Sequence, residues 1–202
     1  MLKNFILHLF IAFWLALPVK AADIMVLGDS LSAGYGLTPG EGWVELMEQR
    51  LESSGLTLLN ASVSGETTAG GLARLPDLLE LHEPKWVLLE LGANDGLRGT
   101  PLNIIQTNLE ALASKITESG AKLIVIGIQL PPNYGPRYTR AFFNLFPQLA
   151  ETFDAPLVPF LLEGVATDWD LMQSDGLHPK AVAQPIILET VMSVVGPEIG
   201  VQ

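Results

Sequence analysis

The chain has 202 residues, 49% apolar and only 16% charged, which is enough material for one buried core and too apolar for a disordered chain. Its 11 Lys and Arg face 22 Asp and Glu, a formal charge of −11, which argues against a general phosphate-binding surface and against nucleic acid as a partner. With no cysteine, disulfides, a thiol nucleophile and zinc–thiolate sites are excluded, so any nucleophile is oxygen or nitrogen.

The first element is a leader. Lys3 precedes an apolar run from Phe5 to Val19, broken only by His8 and Pro18, and Val19-Lys20-Ala21 forms a small-x-small cleavage pattern. The run is shorter than the roughly 20 residues a transmembrane helix needs. Residues 1–21 are therefore expected to be a signal peptide and 22–202 a single domain, exported to the periplasm or secreted, with no stable membrane insertion after cleavage. An uncleaved anchor is the competing reading. Cleavage after Ala21 removes Lys3 and Lys20 and no acid, which leaves 9 basic against 22 acidic side chains, or −13.

Beyond the leader, short β-branched or Leu-rich runs alternate with stretches of helical spacing, the pattern of parallel strands joined by crossover helices. The expected strands are Ile24–Leu27, Leu56–Asn60, Trp86–Leu91, Leu123–Ile128 and Leu157–Phe160. They are almost continuously apolar, as strands covered on both faces are. Between them, Trp43, Leu46, Met47 and Leu51 recur at helical spacing before Gly55, and Leu72, Leu75, Leu78 and Leu79 do so before Pro84.

From Pro101 to Gly120 the apolar Leu102, Ile105, Leu109, Leu112 and Ile116 lie between a proline at the start and a glycine at the stop, as in a helix. Thr139–Phe153 is a further helix that Pro147 must kink or restart. The last helix is expected to begin at Pro185, with Ile186, Ile187, Thr190, Val191 and Val194 on one face. No repeat, low-complexity tract or linker divides the chain.

Open parallel sheets bind ligands beyond the carboxyl ends of their strands, so the residues after each strand are informative. Strand one runs into Gly28-Asp29-Ser30-Leu31-Ser32, strand two into Ser62-Val63-Ser64-Gly65-Glu66-Thr67, and strand three into Gly92-Ala93-Asn94-Asp95. Asp175-Gly176-Leu177-His178-Pro179 follows near the C-terminus. Singly, these fragments read as ordinary turns and caps. Together, in this order and at these strand ends, they resemble the GDSL or SGNH hydrolase family, whose marker Ser, Gly, Asn and His match Ser30, Gly65, Asn94 and His178. The nearest likeness is to its branch of bacterial periplasmic thioesterases, arylesterases and lysophospholipases, and it runs from about Ile24 to the last helix.

The resemblance implies a three-layer α/β/α sandwich with a five-stranded parallel sheet in the flavodoxin-like order 2-1-3-4-5. It also implies a small-molecule substrate with an apolar acyl arm, such as an acyl thioester, an aryl ester or a lysophospholipid. A polar groove would instead suit sugar acetates, on which relatives with the same markers act.

The residues support the same chemistry by themselves. Ser30 is expected at a strand-to-helix turn, where free N–H groups at a helix start favour developing negative charge. Its hydroxyl needs a base, and His178 is the one plausible imidazole, since His82 ends a Leu-rich helix and His8 lies in the leader. Asp175 precedes His178 by three residues across a glycine, close enough to orient the ring, and Pro179 restrains His178 to extended backbone. A Ser30–His178–Asp175 triad follows. Donors for an oxyanion are the Ser30 N–H, the Gly65 N–H and the Asn94 side-chain amide, the three roles the resemblance also implies.

Asp29 is expected to brace the nucleophile loop and Asp95 to cap the turn after Asn94, both outside the catalytic set. The Gly-x-Ser-x-Gly elbow is missing, because Ser32 stands at its second glycine. The Pro131–Tyr138 segment reads either as one wall of a substrate groove or as a proline-stiffened connection, and Leu97, Leu102 and Leu177 are candidate lining. The reading is of a monomeric enzyme that uses no cofactor and no metal. Its competitors are a metal-dependent phosphoesterase, which also favours Gly-Asp and Asn-Asp at strand ends, and a non-catalytic binding protein on the same scaffold.

Overall fold

A computed structural model describes residues 21–201. The expected signal peptide, 1–21, lies outside the described residues except for Ala21. Five strands, β1 (Ile24–Gly28), β2 (Leu58–Asn60), β3 (Trp86–Glu90), β4 (Lys122–Ile126) and β5 (Leu157–Val158), form one parallel sheet in the order 2-1-3-4-5. The order is the one the family resemblance implies.

Helices cover both faces of the sheet, and the period of two along each strand divides the core between them. Met25 and Leu27 enter one apolar layer with Leu75, Leu79, Leu109 and Leu112. Those partners come from α2 (Thr68–His82) and α4 (Leu102–Glu118). Ile24 and Val26 enter the other layer with Trp43, Met47, Val191 and Val195. These belong to α1 (Trp43–Leu51) and α7 (Gln184–Ile199). The two outer helices of that second layer are tied directly, since the buried Gln184 side chain accepts from the Trp43 N–H at 3.0 Å. That bond serves a helix start that has no side-chain cap of its own.

Several boundaries differ from the sequence reading, each for a physical reason. β4 and β5 end two residues early: Ile128 is buried without ladder pairing, so its apolarity reflects core contact rather than strand. α2 begins at Thr68, ahead of the leucine pattern, because Thr67 caps it by accepting from the Gly70 N–H at 3.1 Å, and it carries Pro76 inside. A short α3 (Ala93–Leu97) was not expected. The single kinked helix over Thr139–Phe153 is two helices, α5 (Pro136–Phe143) and α6 (Leu145–Thr152), so that Pro147 falls in a first turn where its missing N–H costs nothing.

α7 starts at Gln184, one residue before the expected Pro185, and its buried face is rotated. Ile187, Leu188, Val191, Met192 and Val195 are buried while Ile186 is exposed. In a helix apolar on nearly all sides, periodicity marks the face weakly. Ala181–Ile199 is long and apolar enough to cross a membrane by length and composition, and half of it is buried in this core.

Candidate active site

Parallel pairing of β1 with both β2 and β3 brings the carboxyl ends of all three strands to one edge, with Gly28 opposite Glu90. The chain leaves β1 through Asp29 into a run of turns that includes Ser30. Ser30 is therefore not at a helix start, contrary to expectation: the Ala33 N–H bonds to the Asp29 carbonyl at 2.9 Å, closing one helical turn that is not continued, and α1 begins only at Trp43.

The fourth loop arrives from the far end of the chain. Gln173 N–H donates to the His178 carbonyl at 2.7 Å and Lys180 N–H to the Leu171 carbonyl at 2.7 Å, which makes residues 171–180 a narrow antiparallel loop with Asp175–Leu177 at its tip. Within it, Asp175 Oδ1 accepts from the N–H groups of Leu177 at 2.9 Å and His178 at 3.0 Å. Its Oδ2 lies 2.7 Å from His178 Nδ1, and His178 Nε2 lies 2.8 Å from Ser30 Oγ. A carboxylate only accepts, so Nδ1 carries the proton and Nε2 is left to accept from the Ser30 hydroxyl.

Partial burial alone would raise the Asp175 carboxyl, but the imidazole bond and the two backbone donors outweigh it and hold it at about 2. The ring of Tyr35 lies over the imidazole, with centroids 4.5 Å apart and planes 39° apart. Tyr35 is 52% exposed, so this contact forms the solvent side of the histidine.

Among the described residues, neither the Ser30 nor the Gly65 N–H has an acceptor. Gly65 has φ of 80°, a left-handed backbone that a side chain would strain. The loop bearing it is held from several sides. Arg74 pairs with Glu66 at 2.8 Å and donates to the Ala61 carbonyl at 3.0 Å, and Arg98 donates to the Gly65 carbonyl at 3.2 Å. The Asn94 amide reaches the same place with its donors engaged, one toward Asp29 Oδ2 at 3.0 Å and one toward the Glu66 carbonyl at 2.9 Å.

Asp29 braces the nucleophile loop as expected, accepting from the Leu31 N–H at 3.0 Å. Asp95 does not cap its own turn. It accepts from the N–H and hydroxyl of Thr68, capping α2 from across the site, because α3 turns its side chain inward. In the Pro131–Tyr138 segment, Tyr134 donates to the Leu97 carbonyl at 3.0 Å and Tyr138 to the Thr100 carbonyl at 3.1 Å, so the segment buttresses the Asn94 loop. Leu97 and Leu102 pack on the core.

The residues missed by sequence reasoning are Arg74, Arg98, Thr68, Tyr35 and Glu90; Arg74 acts within its own loop and helix, on Glu66 and Ala61, and the other four through partners distant in sequence. A cavity of about 530 Å³ lined by Leu79, Glu83, Trp86 and Lys122 opens at the opposite, amino-terminal end of the strands, away from the imidazole. Among the described residues no cluster of three or more His, Asp or Glu is spaced to hold a metal ion.

Residues 26–184 match the model of the GDSL-like lipase/acylhydrolase family. The chain is 49% identical to the esterase TesA of Pseudomonas aeruginosa over 179 residues, 88% of this chain and 89% of that one. It is 43% identical to thioesterase 1/protease 1/lysophospholipase L1 of Escherichia coli K12 over 185 residues, 90% of this chain and 88% of that one. Among solved structures it is similar to the psychrotrophic esterase EstA of Pseudoalteromonas sp. inhibited by monoethylphosphonate, with a TM-score of 0.83 at 44% identity over 90% of this chain and 99% of that one.

Proposed function

The chain belongs to the GDSL-like lipase/acylhydrolase family, and we propose that it hydrolyses ester and thioester bonds of acyl substrates through an acyl-enzyme on Ser30. The observation that carries this reading is the chain of contacts from Asp175 through His178 to Ser30, at 2.7 and 2.8 Å, beside two backbone N–H groups with no acceptor among the described residues. Ser30 Oγ attacks the carbonyl carbon while its proton passes to His178 Nε2. The Asp175 carboxylate stabilises the imidazolium that forms and holds it in place. The Ser30 and Gly65 N–H groups take the oxyanion, and Asn94 joins them by sharing one of its engaged N–H groups. His178 returns the proton to the departing alcohol or thiol, then activates the water that releases the acid.

An acyl arm suits the surroundings better than a sugar. Tyr35, Val63 and Trp169 are exposed apolar side chains on or beside the loops of the site: Tyr35 over the imidazole, Val63 two residues before Gly65, and Trp169 against Gly176. Aryl esters and lysophospholipids fall within this class. Every group of the relay comes from one chain, so the reading requires no partner copy. The leader pattern at 1–21 supports export, with a mature chain from Ala22, which the N-terminal sequence of protein recovered outside the cytoplasm tests.

The decisive experiment is incubation with a fluorophosphonate followed by peptide mapping. One adduct on Ser30 is expected, with loss of labelling and of activity in Ser30→Ala; an adduct elsewhere, or activity that survives in Ser30→Ala and falls with EDTA, removes the mechanism. p-Nitrophenyl esters of increasing chain length test the substrate class: activity should rise beyond acetate, whereas a preference for acetate would favour a carbohydrate deacetylase.

A further inference from the structure

Two carboxyl groups beneath the nucleophile loop have no part in the relay. Asp29, just past β1, and Glu90, the last residue of β3, are both fully buried, and among the described residues no Lys, Arg or His donates to either. Glu90 Oε2 accepts from the Asp29 N–H at 3.1 Å and lies in hydrogen-bond contact with the Ser32 hydroxyl at 2.7 Å, while its Oε1 is buried without a partner among the described residues. Asp29 has a donor on each oxygen, the Leu31 N–H at 3.0 Å and the Asn94 amide at 3.0 Å. Gly28 makes the approach possible, since a β-carbon there would lie 2.6 Å from Glu90 Oε2 and 2.8 Å from the Ser32 side chain.

A carboxyl buried with no cation to offset its charge is held toward its neutral form, and a second buried acid nearby adds to that. The place of a retained proton follows from the donors: a charge is tolerated on Asp29, where both oxygens accept hydrogen bonds, whereas in a neutral Glu90 the Oε2–H donates to the Ser32 hydroxyl oxygen at 2.7 Å and Oε1 is left an uncharged carbonyl oxygen, whose lack of a donor costs less than a bare charge would. We propose that Asp29 and Glu90 retain one proton between them at neutral pH, with Glu90 the neutral acid and Asp29 the carboxylate that positions the Asn94 amide beside Ser30. The inference rests on the hydrolase reading for its consequence, not for the proton itself.

Burial first, then the nearby Asp29 charge, pushes Glu90 well above the usual carboxylate range. Burial raises Asp29 less, to about 6, because the Leu31 N–H and the Asn94 amide favour its charged form, as His178 does when it is protonated. The titratable groups facing Asp29 are Glu90 from β3, Asp95 from α3 and His178 from the C-terminal loop. As a positioning residue, Asp29 holds an oxyanion donor and adds negative potential that favours the imidazolium formed in turnover.

The test is infrared difference spectroscopy of the mature chain at pH 7. The wild type should show the C=O stretch of a protonated carboxylic acid that Glu90→Gln lacks. Asp29→Asn should keep that band, because burial alone leaves Glu90 neutral, while kcat falls about tenfold or more with little change in KM.

Absence of the band in the wild type, or its survival in Glu90→Gln, overturns the retained proton, and its loss in Asp29→Asn overturns the assignment to Glu90. Asp29→Asn turning over like the wild type overturns the positioning role. If Glu90→Gln fails to fold, the wild-type and Asp29→Asn spectra decide. Fluorophosphonate mapping fails or succeeds independently, so loss of the hydrolase reading is distinguishable from loss of the shared proton.

Discussion

The Asp95 carboxylate accepts both hydrogen-bond donors of Thr68, its N–H and its hydroxyl, each at 2.8 Å. Both residues are buried, and the pair joins the residue after Asn94 to the first residue of α2, three positions beyond Gly65. Asn108 of α4 completes the junction by donating to the Thr68 hydroxyl at 3.0 Å. Thr68→Val keeps the shape but leaves an Asp95 oxygen and the Asn108 amide unmatched, at an expected cost of about 1–3 kcal/mol. The urea midpoint should fall at unchanged slope. Because the junction sets Gly65 against Asn94, kcat should fall more than KM rises; a stability loss with kcat intact would leave the junction a purely structural role.

Asp175→Asn removes the charge behind the imidazole and lets the ring settle in the wrong tautomer. A loss of about three to four orders of magnitude in kcat is expected, as for the equivalent change in other Ser-His-Asp hydrolases. KM should hardly move, because Asp175 meets the substrate only through His178. Steady-state kinetics on a p-nitrophenyl ester measure this, and a loss of less than tenfold would mean that the contact at 2.7 Å is not what orients the ring.

The strands were legible because each is nearly continuous in apolar residues, and Asp175 with His178 because their relationship is local. Ser30, Gly65 and Asn94 could be named from the ends of successive strands, since a parallel sheet gathers those ends at one edge. Contacts that depend on register were not legible. Glu90 lies 61 positions from Asp29 and Asp95 lies 27 from Thr68, and nothing local marks either pair. A local signal also misled where tertiary contact overrode it: Ser30 follows a strand without entering a helix.

Stability should change with pH in two opposed windows. The Lys85 side chain and the Thr57 N–H hold Asp23 at about 2, where Asp175 also lies. Both sit below an unfolded value of about 3.9, so the folded state binds these protons less tightly; their contribution is full above pH about 4 and is lost as pH falls toward 2. Asp29, raised mainly by burial to about 6, has the opposite sign. The folded state binds its proton more tightly, so its contribution is full below pH about 4 and is lost as pH rises through 6. Urea midpoints measured across pH should therefore show Asp23→Asn blunting the acid limb and Asp29→Asn blunting the fall between pH 4 and 6. Asp29→Asn tracking the wild type through that window would contradict the buried carboxyl.

Tyr35 makes a separable contribution through its ring. At 4.5 Å between centroids it covers the face of His178, and its carbonyl is held by the Gln173 side chain at 2.9 Å, which fixes the loop on which it stands. When the imidazole becomes imidazolium, the aromatic face is attracted to the charge, an effect of about 0.5–1 kcal/mol at an exposed site, or roughly two- to fivefold in rate. Tyr35→Ala should lower kcat/KM by about that factor or somewhat more, since water also gains access to the ring. Tyr35→Phe, which keeps the aromatic face, should fall well short of that loss. Equal losses in the two variants would assign the effect to the phenol hydroxyl instead, and no loss in Tyr35→Ala would show that the relay is held by Asp175 and Ser30 alone.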